Sequence, residues 1–338
     1  MMKSSSPPGL DPTILLAPTR EGYDLPVIDV THPRFAIPED DASVAAMIKA
    51  FRRDDRQMRF LPRFLLRFLI RRFAKKSRLA AALFGSDETY LDSLSTYVMK
   101  LGPENLVPPY DQPGDRRFAA SPHIKLLRLR MQQVAGLIAE GTAGDPTFAG
   151  REPLHLIDIA GGPALDAVNA LILLRQKRPE LLHRPITIHV LDRNPDGAFF
   201  GSNALVALMS EGAPLSGLAI SLAPQDYDWS ETGALKKLIA DIKRAGGVIG
   251  ASSEGGLFEY GSDDAIIDNL RVLHDGARFV AGSVTNDDEI RRRMISLSRF
   301  KLMPRGIQGF APLAKAAHYE IVSTRPALLS TQVLLRAL

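Results

Sequence analysis

The chain contains no cysteine. That absence excludes a disulfide framework, a thiolate nucleophile and a cysteine-ligated zinc site, and it fits a reducing compartment; the cytoplasm is the expected location. Tryptophan occurs once, and aromatic residues make up 7% of the chain. No uncharged run approaches the roughly 18 apolar residues that a membrane-spanning helix requires. The opening MMKSSSPPGLDPTILLAPTR has too short an apolar patch for a secretory signal. There is no internal repeat, and low complexity is confined to the first ten residues. What is present is an ordinary globular composition, 45% hydrophobic over 338 residues, enough to bury a sizeable core in one large domain or two.

The formal charge of +4 hides an asymmetry. Residues 51–78 hold eleven Lys and Arg against Asp54 and Asp55, while the remaining chain is slightly acidic. Read as a helix at about 100° per residue, this stretch sets Arg59, Arg63, Arg67, Arg71 and Lys75 on one half of the wheel. Leu61, Leu65, Leu66, Phe68, Leu69 and Phe73 fill the other, with Phe60 and Phe64 intruding on the basic side and Arg72 on the apolar one. Three readings follow: a helix packed on its apolar half with solvated arginines, an anionic membrane surface or lipid-like substrate as partner, or nucleic acid. No nucleic-acid recognition motif accompanies the charge, which sets the last reading aside.

The organisation changes twice along the chain. Residues 1–40 are proline-rich and aperiodic, an irregular N-terminal arm or lid with a short extended piece at LPVIDV. Residues 41–145 carry helical periodicity throughout, including PRFLLRFLIRRFAKKSRLAAALF, SDETYLDSLSTYVMKL and a helix opened by Ser121 as N-cap and Pro122 at its first position. They predict an all-helical cap or substrate domain. From about residue 150 to 338 short apolar runs alternate with helical patterns, the signature of a parallel sheet flanked by helices. HYEIVST and TQVLLRAL then follow each other too closely for a helical crossover, so they predict an antiparallel hairpin at the sheet edge.

Within that α/β region, LHLIDIAGGPALDAVNALILL places Asp158, Ala160, Gly161 and Gly162 between a buried strand and a helix. Gly161 and Gly162 allow a ligand to approach the backbone, and the helix start offers free N–H groups. In an open parallel sheet ligands lie beyond the carboxyl ends of the strands. The second strand, ITIHVLDRN, ends on Asp192, whose carboxylate can accept hydrogen bonds from both hydroxyls of a ribose or else cap the next helix. The third ends in APQDYDW, where Asp226 can accept from an adenine amino group while Tyr227 or Trp229 covers the ring; an acidic turn is the alternative. Three such positions at three successive strand ends are what one adenosine would touch.

These residues resemble the class I S-adenosylmethionine-dependent methyltransferases, whose first strand ends in an acid followed by alternating glycines. DIAGGPA matches at Asp158 and Gly162, with Ala160 and Ala164 standing where glycines are usual. The resemblance covers roughly residues 150–338. It implies a Rossmann-like doubly wound sheet of seven strands with the last antiparallel, and S-adenosyl-L-methionine as cofactor. It assigns Asp158, Ala160, Gly161, Gly162, Asp192, Arg193, Asp226, Tyr227 and Ser253 to cofactor binding. The string SEGGLFEY is also loosely similar, through Glu254, Gly255, Leu257 and Tyr260, to an element of leucine carboxyl and polyketide O-methyltransferases, which points to oxygen as acceptor.

Methyl transfer is an in-line displacement, so alignment and exclusion of water are the main tasks, with a base needed only where the acceptor must lose a proton. Glu254 is the first candidate catalytic group and His123 the second; Tyr260 is a candidate substrate contact. No metal is expected: Asp263, Asp264 and Asp268 read as helix N-terminal charge, and His155, His183, His189 and His274 lack ligand spacing. The expected activity is methylation of a small-molecule substrate. An NAD(P)-dependent oxidoreductase, or a non-catalytic protein that keeps the fold, remain the alternatives, and the sequence leaves a homo-oligomer open.

Overall fold

A computed structural model describes residues 9–84, 92–297 and 300–338. A short antiparallel pair, β1 (Leu16–Pro18) and β2 (Asp24–Pro26), precedes six helices: α1 (Asp41–Arg59), α2 (Arg63–Ala74), α3 (Arg78–Phe84), α4 (Ser93–Lys100), α5 (Pro113–Ala119) and α6 (Pro122–Ala143). Then come β3 (Leu154–Ile159), α7 (Leu165–Lys177), β4 (Ile186–Leu191), α8 (Pro195–Met209), β5 (Ile220–Gln225), α9 (Gly233–Arg244) and β6 (Val248–Ser253). The chain closes with α10 (Leu257–Tyr260), α11 (Asp263–His274), β7 (Ala277–Thr285), α12 (Glu289–Leu297), α13 (Gly306–Ala316), β8 (Tyr319–Pro326) and β9 (Ser330–Ala337).

Strands β3 to β9 form one sheet in the order β5-β4-β3-β6-β7-β9-β8. All neighbours are parallel except that β9 runs antiparallel to both β7 and β8. The predicted hairpin therefore exists, but only β8 lies at the edge; β9 is threaded between β7 and β8. Their burial explains this: β9 is buried at six successive positions, whereas β8 alternates, as an edge strand with one wet face does.

Alternation along the strands fills two layers. Leu154, Leu156, Ile188 and Val190 join one core with α6, α7 and α8, while Ile157, Ile159 and Leu191 join another with α9, α11 and α13. The arm is part of the first core. Leu25, Val27, Ile28 and Val30 are buried there, Tyr97 Oη donates to the Pro26 carbonyl at 2.7 Å, and Asn169 Oδ1 accepts from the Val30 amide at 2.8 Å. A boundary near residue 150 likewise cuts continuous structure, because α6 packs in that core against the sheet rather than in a separate helical unit.

Two helix boundaries differ from the sequence expectation. The continuous basic helix is interrupted at Pro62, which lies ahead of the first turn of α2, and again after Ala74. Ser77 accepts the Ala80 amide at 3.0 Å and donates to Asp115 at 2.7 Å, which starts α3 afresh. Residues 86–91 of the predicted SDETYLDSLSTYVMKL helix lie outside the described residues; α4 begins after Asp92, whose side chain accepts the Ser95 amide at 2.8 Å. No helix of the described residues is long and apolar enough to cross a membrane.

Candidate functional site

The glycine turn after β3 is sharply wound. Ala160, Gly162 and Ala164 all have positive φ, at 57°, 50° and 57°. Both alanines thus hold the left-handed backbone that glycine adopts without penalty, at a cost of roughly 1–2 kcal/mol each. Beneath the turn lies the Asp158 carboxyl, fully buried and so close to Gly161 that a Cβ there would meet it at 2.3 Å. Ser252 Oγ donates to Asp158 Oδ1 at 3.3 Å. Burial, and then the neighbouring Asp166 in the first turn of α7, raise the Asp158 carboxyl well above its ordinary range. Burial raises the Asp166 carboxyl as well. Buried under the turn, Asp158 is a strut rather than a cavity-lining contact, and the cavity-facing member of the pair is Asp166, for which the sequence gives no assignment.

A cavity of about 980 Å³ opens above this turn. Its floor includes Ala160, Gly161 and Gly162 from the end of β3, Asp192 and Arg193 from the end of β4, and Tyr227 and Trp229 after β5. Asp192 accepts the Gly162 amide through Oδ2 at 2.9 Å and the Asn194 amide through Oδ1 at 2.8 Å. Burial raises its carboxyl even so. Each oxygen keeps a second lone pair for a donor in the cavity. Helix capping is left to Asn194, whose side chain accepts the Asp196 amide. Tyr227 is 4% exposed and donates from its hydroxyl to Asn269 Oδ1 at 2.6 Å, so it serves as a packed wall.

Besides Asp158, two further expected cofactor contacts lie off the cavity. Asp226 is exposed and does not line the cavity; the strand ends at Gln225, and the chain turns before the next acid faces inward. That acid is Asp228, which accepts from the Ser230 amide and hydroxyl at 2.9 and 2.7 Å and pairs with Arg193 at 3.3 Å across the rim. Ser253 is fully buried below the surface of the cavity. Its Oγ donates to the Ile159 carbonyl at 2.9 Å and accepts the Leu257 amide at 3.0 Å, a brace between β3 and α10.

Glu254 does line the cavity, within an ionic chain. Lys100 Nζ lies 2.5 Å from Oε2 and Arg130 Nε 2.5 Å from Oε1, while Arg130 Nη1 reaches Glu259 at 3.0 Å. Burial alone would raise the Glu254 carboxyl, yet Arg130 and Lys100 bring it down to about 2. At neutral pH it therefore holds charge firmly and is a poor acceptor of protons. His123 also lines the cavity, its ring 6.5 Å from that of Phe51. Burial, then the charges of Arg291 and Arg130, lower it to about 3, so the imidazole is neutral, and its Nδ1 has no hydrogen-bond partner. Tyr260 stands in the same wall. Lys100, Arg130, Glu259 and Arg291 went unnoticed in the sequence because each sits in a different element, and only folding brings them together.

The far side of the cavity is apolar. Phe51 and Met58 of α1, Leu61 just before α2, Leu66 and Ile70 of α2, Leu83 and Phe84 of α3, with Met294 and Phe300, close it. The opposite side of α2 faces outward: Phe64 and Phe68 are 76% and 59% exposed, and Phe60 just before the helix is 87% exposed. Arg71, Arg72 and Lys75 are exposed nearby; the side chains of Arg59, Arg63 and Arg67 lie outside the description. Among the described residues no group of three or more His, Asp or Glu is placed to hold a metal ion. His155 and His189 instead bond each other, Nδ1 to Nε2, at 2.9 Å.

A doubly wound seven-stranded sheet with one reversed strand inserted next to the edge is the class I methyltransferase fold, as the sequence led us to expect. No family model and no curated protein matches the chain. Among solved structures it is similar to the magnesium protoporphyrin IX methyltransferase of Synechocystis with bound SAH, at 12% identity over 64% of this chain and 87% of that one, with a TM-score of 0.42. It is also similar to the N,N-8-amino-8-demethyl-D-riboflavin dimethyltransferase of Streptomyces davawensis, at 14% identity over 77% and 70%, with a TM-score of 0.37. An O-methyltransferase from neocarzinostatin biosynthesis, solved with S-adenosyl-L-homocysteine and 1,4-dihydroxy-2-naphthoic acid, matches at 16% identity over 60% of this chain. That match spans 57% of the enzyme, with a TM-score of 0.35. The ligands and substrates named are those proteins' own.

Proposed function

We propose that the protein is an S-adenosylmethionine-dependent methyltransferase acting on a small molecule, with oxygen as the acceptor atom. The observation that carries this reading is one continuous cavity that joins the ends of β3, β4 and β5 to an apolar chamber roofed by α1, α2 and α3. The donor half fits an adenosyl group: a close-approach turn at Gly161 and Gly162, a carboxylate at Asp192 with acceptor capacity to spare, and the aromatic wall of Tyr227 and Trp229.

When bound, the cofactor supplies an electrophilic methyl group on a sulfonium whose charge is lost on transfer. The chain's own task is alignment. Asp192, clamped by two backbone amides, would fix the ribose, and the β3 turn would set the depth of the donor in the cavity. The roof excludes water from the acceptor side. With Glu254 held ionised and His123 neutral but weakly basic, the site suits an acceptor that already carries its electron pair, such as a carboxylate or an acidic phenol. The outer aromatic row Phe60, Phe64 and Phe68, set beside exposed Arg71, Arg72 and Lys75, complements an anionic bilayer and would bring an apolar substrate to the roof.

Isothermal titration with S-adenosylhomocysteine tests the reading, with NAD and NADP as controls. Binding of the first and not of the others is expected; the reverse pattern makes the protein an oxidoreductase, and no binding at all makes it a non-catalytic relative of the fold. Incubation with labelled donor and a cell extract, followed by mass analysis, then identifies the acceptor.

A further inference from the structure

One cation in the cavity wall is left out of the ionic chain. Lys100, Glu254, Arg130 and Glu259 satisfy one another, and Glu259 is further engaged by Thr285 Oγ1 at 2.9 Å. Arg291, on α12, is 5% exposed and lines the cavity, yet it forms no ion pair among the described residues, and its Nε has no hydrogen-bond partner. Asp288 uses its side chain on the Arg291 backbone amide at 2.8 Å rather than on the guanidinium. Burial lowers the pKa of Arg291, and the carboxylate that acts on it most, Glu259, is already hydrogen-bonded to Arg130 and Thr285, so the guanidinium is left short of a partner of its own. His123, whose Nδ1 is a second buried polar atom without a partner, lies close enough to feel the charge of Arg291. Glu259, Arg130 and Tyr260 also act on Arg291, and the apolar side chains of Phe51, Leu127, Met294 and Phe300 line the same cavity.

We infer that Arg291 is the anchor of the acceptor pocket and that the substrate is an amphipathic acid, an apolar body carrying one carboxylate that pairs with this guanidinium while the body fills the chamber under the roof. The inference deepens the methyltransferase reading and rests on it for the name of the reaction, but the recognition itself needs only the chain. A carboxylate here would accept from two guanidinium N–H groups at once, an arrangement suited to arginine and less well served by a point charge. A neutral molecule of equal size would leave the guanidinium buried and unpaired.

The test pairs acids with alcohols of the same skeleton: decanoate against 1-decanol, and 2-naphthoate against 2-naphthylmethanol, titrated into the full chain with and without saturating S-adenosylhomocysteine. At least one acid is expected to bind tenfold or more tightly than its alcohol. Arg291→Gln should abolish the preference without changing affinity for S-adenosylhomocysteine, and Arg291→Lys should retain a reduced preference. Acids that bind no better than alcohols, or do not bind, overturn the inference. So does a loss of S-adenosylhomocysteine affinity in Arg291→Gln, which would make the residue part of the donor site. If Arg291→Gln does not fold, the wild-type acid-to-alcohol ratio and the lysine variant still decide. Failure of the wild type to bind S-adenosylhomocysteine while the acid preference persists would sink the methyltransferase reading alone.

Discussion

The Gly162 amide donates to Asp192 Oδ2 at 2.9 Å, so the turn after β3 and the end of β4 are fastened to each other by the very carboxylate that faces the cavity. Asp192→Ala removes both this tie and the proposed acceptor for the donor's ribose. Loss of charged hydrogen bonds predicts a weakening of S-adenosylhomocysteine binding by about 1.5–3 kcal/mol, roughly ten- to hundredfold. Asp192→Asn, which keeps one oxygen for the Gly162 amide, should fold more stably than Ala while binding remains impaired. Titration calorimetry beside urea unfolding of both variants checks this; unchanged affinity in Ala sinks the ribose assignment.

Gly256 faces Ala160 across the cavity floor, and a Cβ added at Gly256 would lie 2.5 Å from the Ala160 Cβ. Gly256→Ala is expected to cost about 1–3 kcal/mol from overpacking. Adding Ala160→Gly, which removes the colliding methyl and relaxes a left-handed alanine, should return part of that loss. A double-mutant cycle by urea denaturation should give a favourable coupling of at least about 0.5 kcal/mol, and additivity would refute the contact.

Glu254 answers two partners at once, so its replacement separates structure from chemistry. Glu254→Gln strips the compensating charge from Lys100 and Arg130 and should destabilise the fold by about 3–5 kcal/mol, as breaking a buried pair does. Lys100→Met should lose a comparable part of the same network. If Glu254→Gln keeps wild-type stability but loses turnover, the residue acts on the reaction rather than on the wall, contrary to what its ion pairs imply.

Acid should weaken the fold through its histidines. His123, ordinarily near 6.5, is lowered to about 3 and His189 to about 4, in each case chiefly by burial. Between those values and 6.5 the unfolded chain holds the protons and the folded chain does not, so this contribution to stability declines as pH falls from 6.5. Asp158 and Asp166, both raised by burial, act with the opposite sign as pH drops toward 3.8. His123→Asn isolates one histidine: its urea midpoint should gain on the wild type steadily between pH 6.5 and 4.5, and parallel profiles would count against a buried neutral ring.

The outer face of α2 gives a membrane prediction. Phe60→Ser, Phe64→Ser and Phe68→Ser combined should abolish sedimentation with vesicles rich in phosphatidylserine and leave the melting temperature within a few degrees, because these rings are exposed. Wild-type binding should fall steeply with added salt. Equal binding to purely zwitterionic vesicles, or none, removes the bilayer as the partner.

Much of the fold was legible because parallel strands buried on both faces read as short apolar runs, and Ser121 with Pro122 marks a helix start that the structure keeps. The first two strand ends were legible for the same reason. At the third, nothing in APQDYDW tells that Gln225 is the last paired position, and Asp228 rather than Asp226 lines the cavity. Ser253 was misjudged because its partners, the Ile159 carbonyl and the Leu257 amide, come from the neighbouring strand and the next helix. α13 was missed, with Pro312 inside it masking its periodicity. Lys100, Arg130 and Arg291 carry no local pattern at all, since long-range packing alone sets them in one wall.

The position of α6 has a practical consequence for anyone dissecting the molecule. Gly141 on this helix abuts the ring of Phe279 so tightly that a Cβ there would stand 2.6 Å from it, and Gly250 of β6 touches the same ring from the other side. The aromatic is thus a rivet through helix and sheet, and a fragment cut at residue 150 would leave it without its washer. A shortened chain that is to keep this contact must therefore include α6 from Pro122 onward.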